Sequence, residues 1–130
     1  MQALNPRLIA APFGRYSHGV AVPVSGRLVL TSGQLGVRPD GSLPEGALDQ
    51  ARQCFANCAA ILAEAGLGPG HVLRVNGFVT ERVHFPDYMA ARDEFLAGVA
   101  VLPASTLVIV SGFTRPEFLV EVELTAMENT

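Results

Sequence analysis

The sequence predicts an α+β domain in which two helices pack on one face of a β-sheet, in the order ββαβαββ. Residues 47–65 place apolar side chains three or four positions apart, which is typical of a helix with one buried face. Residues 118–125 alternate apolar and polar side chains, as a strand with one buried face does. Leu107–Val110 is apolar at consecutive positions, which indicates a strand that is covered on both faces.

The N-terminal part of the chain holds the first two predicted strands, Val20–Val24 and Arg27–Thr31. Ser25-Gly26 lies between them and indicates a hairpin turn. The preceding segment, Phe13–Gly19, is polar and contains glycine at both ends, so we expect a loop there. This loop carries Tyr16, an aromatic side chain with a polar tip.

The central part of the chain contains the two predicted helices and a strand between them. The first helix spans Ala47–Ala65 and stops at a glycine, the residue that most often follows a helix. A strand spans Val72–Thr80. The second helix spans Pro86–Leu96, with proline in its first turn, where the missing N–H is not needed. Arg92 belongs to the apolar face of this helix through its aliphatic stem.

Length and composition indicate one domain, spanning residues 1–130, that is not complete on its own. Only 16% of the residues are charged and 49% are hydrophobic, whereas an average soluble domain has roughly 25% charged residues. Two helices on one face of a sheet also leave the other face bare. We therefore expect an oligomer in which a second subunit supplies the missing cover.

The charge balance and the hydropathy pattern exclude two classes of partner. The net charge is −3 and there is no block of basic residues, so we expect no nucleic-acid partner. No apolar run approaches the ~18–20 residues that are needed to cross a bilayer, so we expect no membrane partner. The first residues lack the pattern of a signal peptide, and we therefore expect a cytoplasmic protein.

Cys54 and Cys58 are the only cysteines, and they lie four residues apart on the first predicted helix. Two ligands without a neighbouring histidine make a poor metal site. The hypothesis that we favour is a pair of reduced thiols that pack in the core like small hydrophobic side chains. We expect no metal and no cofactor.

Several short motifs are distributed along the chain from about Pro12 to Ala126. They are Gly14 and Tyr16, Thr31-Ser32-Gly33-Gln34, Ala51-Arg52-Gln53, Ala65-Gly66-Leu67, Pro103-Ala104, and Glu121 with Glu123. In this order and at this spacing they resemble the Rid family of reactive-intermediate (imine/enamine) deaminases, also called YjgF-like proteins. The resemblance implies a compact chorismate-mutase-like fold and a homotrimer, with small-molecule pockets between neighbouring subunits.

The resemblance also implies a reaction and the residues that carry it. The family hydrolyses imines derived from amino acids, which requires donors for the substrate carboxylate, an oriented water and a group that assists proton transfer. Catalytic roles are implied for Glu121, near the water, and for Tyr16, at the pocket rim. The structural alternatives are an interface carboxylate and a capping aromatic residue. Substrate contacts are implied for Ser32, Gly33, Met89, Ala104, Ser105, Thr106 and Leu107.

The chain departs from the family pattern at Ser105, where the family usually has an arginine. Arginine binds a carboxylate through two charge-assisted hydrogen bonds, whereas serine offers one neutral donor. Met89 and Leu107 also stand where polar residues are common in the family. The pocket is therefore expected to suit a larger or more apolar ligand than a short amino-acid imine. Arg15 could reach the same anion, or it could be a solvated surface charge.

Two functional hypotheses follow from these residues. The leading one is a divergent imine or enamine hydrolase that acts on a substrate other than the short amino-acid imines. The alternative is a non-catalytic trimer that binds a small ligand as a sensor or modulator. Ribonuclease activity, which is sometimes attached to the family, fits poorly with an acidic chain that lacks a basic patch.

Overall fold

A computed structural model of the protein describes residues 1–128, and it contains seven strands and two α-helices. It also contains two short 3-10 helices, Pro69–His71 and Arg82–His84. The elements in chain order are β1 (Gln2–Leu4), β2 (Gly19–Ala21), β3 (Leu28–Leu30), β4 (Gln34–Leu35), α1 (Ala47–Glu64), β5 (Val72–Val79), α2 (Phe85–Phe95), β6 (Ala104–Ile109) and β7 (Val120–Met127).

The main sheet has the order β3-β7-β5-β6, and β4 also pairs with β7. The central strands β5 and β7 are antiparallel, whereas β5 and β6 are parallel and are connected through α2. The α+β class and the alternation of the last strand are confirmed, because Val120, Val122 and Leu124 are buried.

The predicted hairpin between the second and third strands is wrong. β2 pairs with β1 in a separate two-stranded sheet, and β3 pairs with β7 instead. Pro23 lies inside the segment that was predicted as a strand, and proline has no amide hydrogen to donate to a ladder. β2 therefore stops at Ala21, and the observed order contains two strands, β1 and β4, that the sequence pattern did not predict.

Both helices pack on the same face of the main sheet, and they begin and end within one residue of the predicted bounds. Phe55 and Leu62 of α1 and Tyr88 of α2 are buried in one core with the inward side chains of β5 and β7. Burying side chains of this size stabilises the folded state by about 1.5–3 kcal/mol each. Tyr88 lies so close to Gly77 of β5 that a Cβ atom there would overlap its ring.

The other face of the sheet is not covered by any element of the described chain. Leu28 and Leu30 of β3 are 55% and 67% exposed there, and Val108 of β6 is 40% exposed. The apolar run Leu107–Val110 predicts a strand that is buried on both faces. The single chain therefore does not supply the cover for the second face. We call this surface the open face of the sheet.

Within residues 1–128, neither helix combines the length and the apolar character that crossing a membrane would require.

Candidate functional site

A cleft of about 310 Å³ lies between the loop at residues 13–16, helix α2 and strand β6. Four of the predicted site residues line it, namely Tyr16, Met89, Ser105 and Leu107, and they come from three separate parts of the chain. The remaining lining residues are Phe13, Phe85 and Arg92. We call this space the α2–β6 cleft.

Ser17, which directly follows the loop at residues 13–16, holds the loop against the start of β6. The Ser17 amide donates to the carbonyl oxygen of Pro103 at 2.9 Å, and its hydroxyl donates to that of Leu102 at 2.6 Å. Ser17 also forms a bridge with Ala104, which is buried. Ala104 therefore fixes the loop through its backbone and does not itself line the cleft.

Tyr16 is half-buried at the rim, and its hydroxyl oxygen accepts a hydrogen bond from the Phe13 amide at 3.1 Å. This contact is the capping interaction that was the structural alternative for Tyr16. The phenolic proton is still available to donate, because a hydroxyl can donate and accept at once. The structure therefore places a hydrogen-bond donor at the rim of the cleft.

Arg92 is the residue of the cleft that sequence reasoning missed as a functional candidate. Its side chain is only 4% exposed, yet it contributes to the lining of the cleft. The Cζ atom lies 5.9 Å from the centroid of the Tyr16 ring, within the range of a cation–π interaction. The signal in the sequence was a charged residue at a position with the spacing of the apolar face of α2.

Arg15 does not line the α2–β6 cleft. Its side chain is exposed, and Nη2 lies 3.5 Å from the carbonyl oxygen of Leu96, which is a weak contact.

Glu121 lies on the open face of the sheet, together with Gly33. A Cβ atom built at Gly33 would lie 2.6 Å from Cδ of Glu121, so a side chain there would require the carboxylate to move. Burial, and then the negative charge of Glu123, raise the pKa of the Glu121 carboxyl above its ordinary value. Ser32 precedes Gly33 and is exposed, and its carbonyl oxygen accepts a hydrogen bond from the side-chain Nε2 of Gln34 at 3.2 Å.

Thr106 belongs to a polar network on the open face and not to the α2–β6 cleft. Its hydroxyl accepts from Nη2 of Arg74, whose Nε donates to the Asn76 side chain at 3.0 Å. The Asn76 amide in turn donates to Glu123 at 3.2 Å. Among the described residues Glu123 is therefore hydrogen-bonded to an amide, and it forms no ion pair there.

The register of the sheet separates the predicted site residues into two groups. Leu107 pairs with Gly77, which faces the helices. Val108 pairs with Phe78, and Phe78 pairs with Glu121 on β7. Because side chains alternate along a strand, Ser105 and Leu107 point to the helix side while Glu121 points to the open face. One chain therefore cannot bring Glu121 into its own α2–β6 cleft.

Cys54 and Cys58 are free, buried thiols on α1. They donate weakly to the carbonyl oxygens of Val120 and Val122 at 3.6 and 3.8 Å. In residues 1–128 there is no cluster of three or more histidine, cysteine or carboxylate side chains that could hold a metal ion.

Comparison with known proteins identifies the family of this chain. A family model described as endoribonuclease L-PSP matches residues 8–128, so the chain belongs to this family, which is the YjgF/Rid family. A RutC family protein of Aquifex aeolicus is 36% identical over 109 residues, which cover 83% of this chain and 85% of that protein.

Two further relatives connect the family to a structure and to an activity. The Escherichia coli 2-iminobutanoate/2-iminopropanoate deaminase is 32% identical over 119 residues, which cover 90% of each chain. The crystal structure of the Rid family protein YyfB of Yersinia pestis matches with a TM-score of 0.85 at 31% identity, and the match covers 97% of each chain. The Rid-type fold that the motifs predicted is thereby confirmed.

Proposed function

We propose that this protein is a homotrimeric imine or enamine hydrolase that acts in the cytoplasm. Its site would combine the α2–β6 cleft of one subunit with the Glu121 side of a neighbouring subunit. The substrate would be a small molecule with a larger or more apolar side chain than the short amino-acid imines. Two buried free thiols fit a reducing compartment.

The observation that carries the proposal is that the predicted site residues lie on two faces of one sheet. Tyr16, Met89, Ser105 and Leu107 border the cleft, while Glu121 lies on the open face. The open face also exposes apolar side chains of β3 and β6, the kind of surface that marks a protein–protein contact. Association through this face would cover those side chains and could bring a Glu121 to a second subunit's cleft.

Hydrolysis of an imine requires a group that transfers protons and a hydrogen-bond donor for the substrate, and Glu121 and Tyr16 can supply these. Water adds to the imine carbon, the electrons of the C=N bond move to nitrogen, and nitrogen takes a proton. The carbinolamine then loses ammonia as the carbonyl group forms. A carboxyl group with a raised pKa can take a proton from the water and return it to the leaving nitrogen. The Tyr16 hydroxyl can donate a hydrogen bond to the substrate at the rim.

The lining of the cleft supports a substrate with an apolar side chain. Phe85, Met89 and Leu107 are apolar, and Ser105 carries no charge. The name of the Escherichia coli relative gives a deaminase of imines with short side chains. We therefore assign this chain to the same reaction class with a different preference for the side chain.

The test uses imines that an amino-acid oxidase generates in situ from amino acids of increasing side-chain size. We expect the purified protein to accelerate keto-acid release, with larger gains for branched and aromatic side chains than for alanine. Oxidase without the protein gives the spontaneous rate, and Glu121→Gln gives the rate without the carboxylate. Keto-acid release equal to the spontaneous rate for every imine would contradict the proposed activity.

A non-catalytic ligand-binding trimer is the second candidate. The hydrogen bond from the Phe13 amide to the Tyr16 hydroxyl favours it, because this contact gives Tyr16 a structural task that needs no catalysis. Saturable ligand binding without any acceleration of imine hydrolysis would support this candidate.

The family description names an endoribonuclease. The chain has 12 acidic against 9 basic residues, which is unfavourable for binding a phosphate backbone, and we do not propose that activity.

A further inference from the structure

We infer that Arg92 is the anion-binding residue of the α2–β6 cleft, and that the ligand is a carboxylate with an apolar side chain. The inference rests on the proposed function in taking this cleft as the ligand site. It assigns the cationic role to helix α2, at a position that is distinct from Ser105 of β6 and from Arg15 of the loop.

Arg92 is a buried cation whose hydrogen bonds within the protein are weak. Arg92 is 4% exposed, and its Nε and Nη2 atoms are both 3.3 Å from one carboxylate oxygen of Asp93. Charge-assisted hydrogen bonds of this type are usually about 2.7–2.9 Å long. Among the described residues the remaining N–H groups of the guanidinium have no acceptor. A buried charge without good partners is costly, so a ligand anion would relieve this cost.

A comparison within the same molecule shows what a structural arginine pair looks like here. Arg52 is exposed on α1, and its Nη2 and Nε donate to the two carboxylate oxygens of Glu94 at 2.7 and 3.0 Å. Arg92 is more buried but has longer contacts, both to a single oxygen of the next residue in the chain. Asp93 therefore orients the guanidinium without occupying its second edge.

Two neighbours of the guanidinium offer it no side-chain acceptor. Gly14 has no side chain, and a Cβ atom there would lie 3.1 Å from Nη2, which is tighter than most contacts of this kind. The Tyr16 ring faces the guanidinium at 5.9 Å and stabilises the cation without using a hydrogen-bond donor. The guanidinium thus retains N–H groups that can bind a carboxylate in the two-pronged geometry that arginine favours.

The size and lining of the cleft define the rest of the ligand. Its volume of about 310 Å³ is at the lower end of small-molecule sites, which run from about 300 to 1,000 Å³. This volume suits one amino-acid-sized molecule. Phe85, Met89 and Leu107 offer apolar contacts to its side chain. The chemistry therefore indicates an imino acid, or the matching keto acid, with a branched or otherwise apolar side chain.

The test compares a carboxylate with its neutral amide, namely 4-methyl-2-oxopentanoate and 4-methyl-2-oxopentanamide, by titration calorimetry on the full-length protein. We expect the native protein to bind the carboxylate more tightly. Arg92→Gln should weaken carboxylate binding about 10- to 100-fold, because a hydrogen bond to a charged group is lost, and leave amide binding unchanged. Arg92→Lys should lie between the two. Arg82→Gln, which removes an exposed arginine from the turn before α2, is the matched control and should bind like the native protein.

A second measurement does not depend on the folding of a variant. In the native protein, the side-chain NMR signal of the Arg92 Nε group should shift during titration with the carboxylate and not with the amide. Equal binding of carboxylate and amide by the native protein, an unmoved Nε signal, or carboxylate affinity that survives Arg92→Gln would each overturn the inference. A folded Arg92→Gln protein that loses affinity for the carboxylate and for the amide equally would also overturn the inference, because this result would show that Arg92 only packs in the cleft.

The outcomes separate this inference from the proposed function. Carboxylate binding that depends on Arg92, without hydrolysis of any imine, would support the anion site and contradict the enzyme. Hydrolysis of imines at an unchanged kcat/KM in Arg92→Gln would support the enzyme and contradict the anion site.

Discussion

The carboxylate of Glu121 lies against the backbone of Gly33, so close that a side chain at position 33 would require the Glu121 side chain to move. A Cβ atom there would be 2.6 Å from Cδ and 3.1 Å from Cγ of Glu121. The two residues are brought together because Gln34 and Leu35 pair with Val122 and Glu121 in the sheet. Glu121 points to the open face because it alternates with the buried Val120 and Val122. Burial raises the pKa of its carboxyl, and the negative charge of Glu123 raises it further.

The first prediction concerns the turnover of Glu121→Gln, which keeps the shape of the side chain and removes its charge. If Glu121 transfers protons, kcat for imine hydrolysis should fall by about 10²- to 10⁴-fold, the usual contribution of such a group. The matched control is Glu123→Gln, two residues further along the same face, which should retain activity within a few-fold. An active protein whose kcat does not respond to Glu121→Gln would exclude this role.

The second prediction concerns the pH dependence of stability. The folded protein has a raised Glu121 pKa, whereas the unfolded chain has the ordinary value of 4.5. Between these two values the folded state binds more protons, so the free energy of unfolding decreases as the pH rises through this window. Glu121→Gln should lack this decrease, and its stability relative to the native protein should increase with pH and then level off.

Urea unfolding at one fixed protein concentration, repeated from about pH 4 to pH 7, measures this dependence. A stability difference that stays constant over this range would show that the Glu121 carboxyl titrates alike in the folded and unfolded states.

The third prediction concerns Ser105, which lines the α2–β6 cleft without a charge. We expect the native protein to hydrolyse short amino-acid imines slowly. A substrate carboxylate bound by Arg92 of α2 would lie in a different place from one bound by an arginine in place of Ser105 on β6. Ser105→Arg should raise kcat/KM for these imines by about 10²- to 10⁴-fold, since two charge-assisted hydrogen bonds are added. Arg15→Ala should change little.

Keto-acid release from oxidase-generated imines measures these rates. A native protein as fast as an arginine-bearing relative, with a rate that survives Arg15→Ala and Arg92→Gln, would show that the cleft holds its ligand without a cation.

The fourth prediction is a homotrimer that forms through the open face of the sheet. Light scattering should give three times the chain mass of 13.7 kDa. Val108→Glu places a charge on the open face and should dissociate the trimer, because burying an unpaired charge costs several kcal/mol. Ala60→Glu, on the exposed side of α1, is the matched control and should remain trimeric. A native protein that stays monomeric at micromolar concentration would contradict both the trimer and the shared site.

The fifth prediction is that the two thiols of α1 do not react in the folded protein. Burial raises the pKa of Cys58 to about 12 and raises that of Cys54 as well, so almost no thiolate forms at neutral pH. Ellman's reagent should leave both thiols untouched in the native state and should label both after unfolding in guanidinium. Rapid labelling of the native protein would show that the core around α1 opens readily.

Local patterns were sufficient for much of the fold. The spacing of Phe55, Cys58 and Leu62 identified α1, and the alternation around Val120 and Val122 identified β7. Both patterns depend only on the period of one element against a buried surface. The pairing of β3 with β7, in contrast, joins residues about a hundred positions apart, and no local pattern selects such a partner.

The candidate site divides in the same way. The order of the motifs determined the family, and the sequence gives the identities of Ser105 and Glu121 directly. Only the tertiary structure decided that Glu121 and Ser105 lie on opposite faces and that Arg92 lines the cleft, because these facts depend on strand register and on how α2 packs beside β6. What a charged side chain can bind depends on the helices and strands beside it, and these come together only in the folded chain.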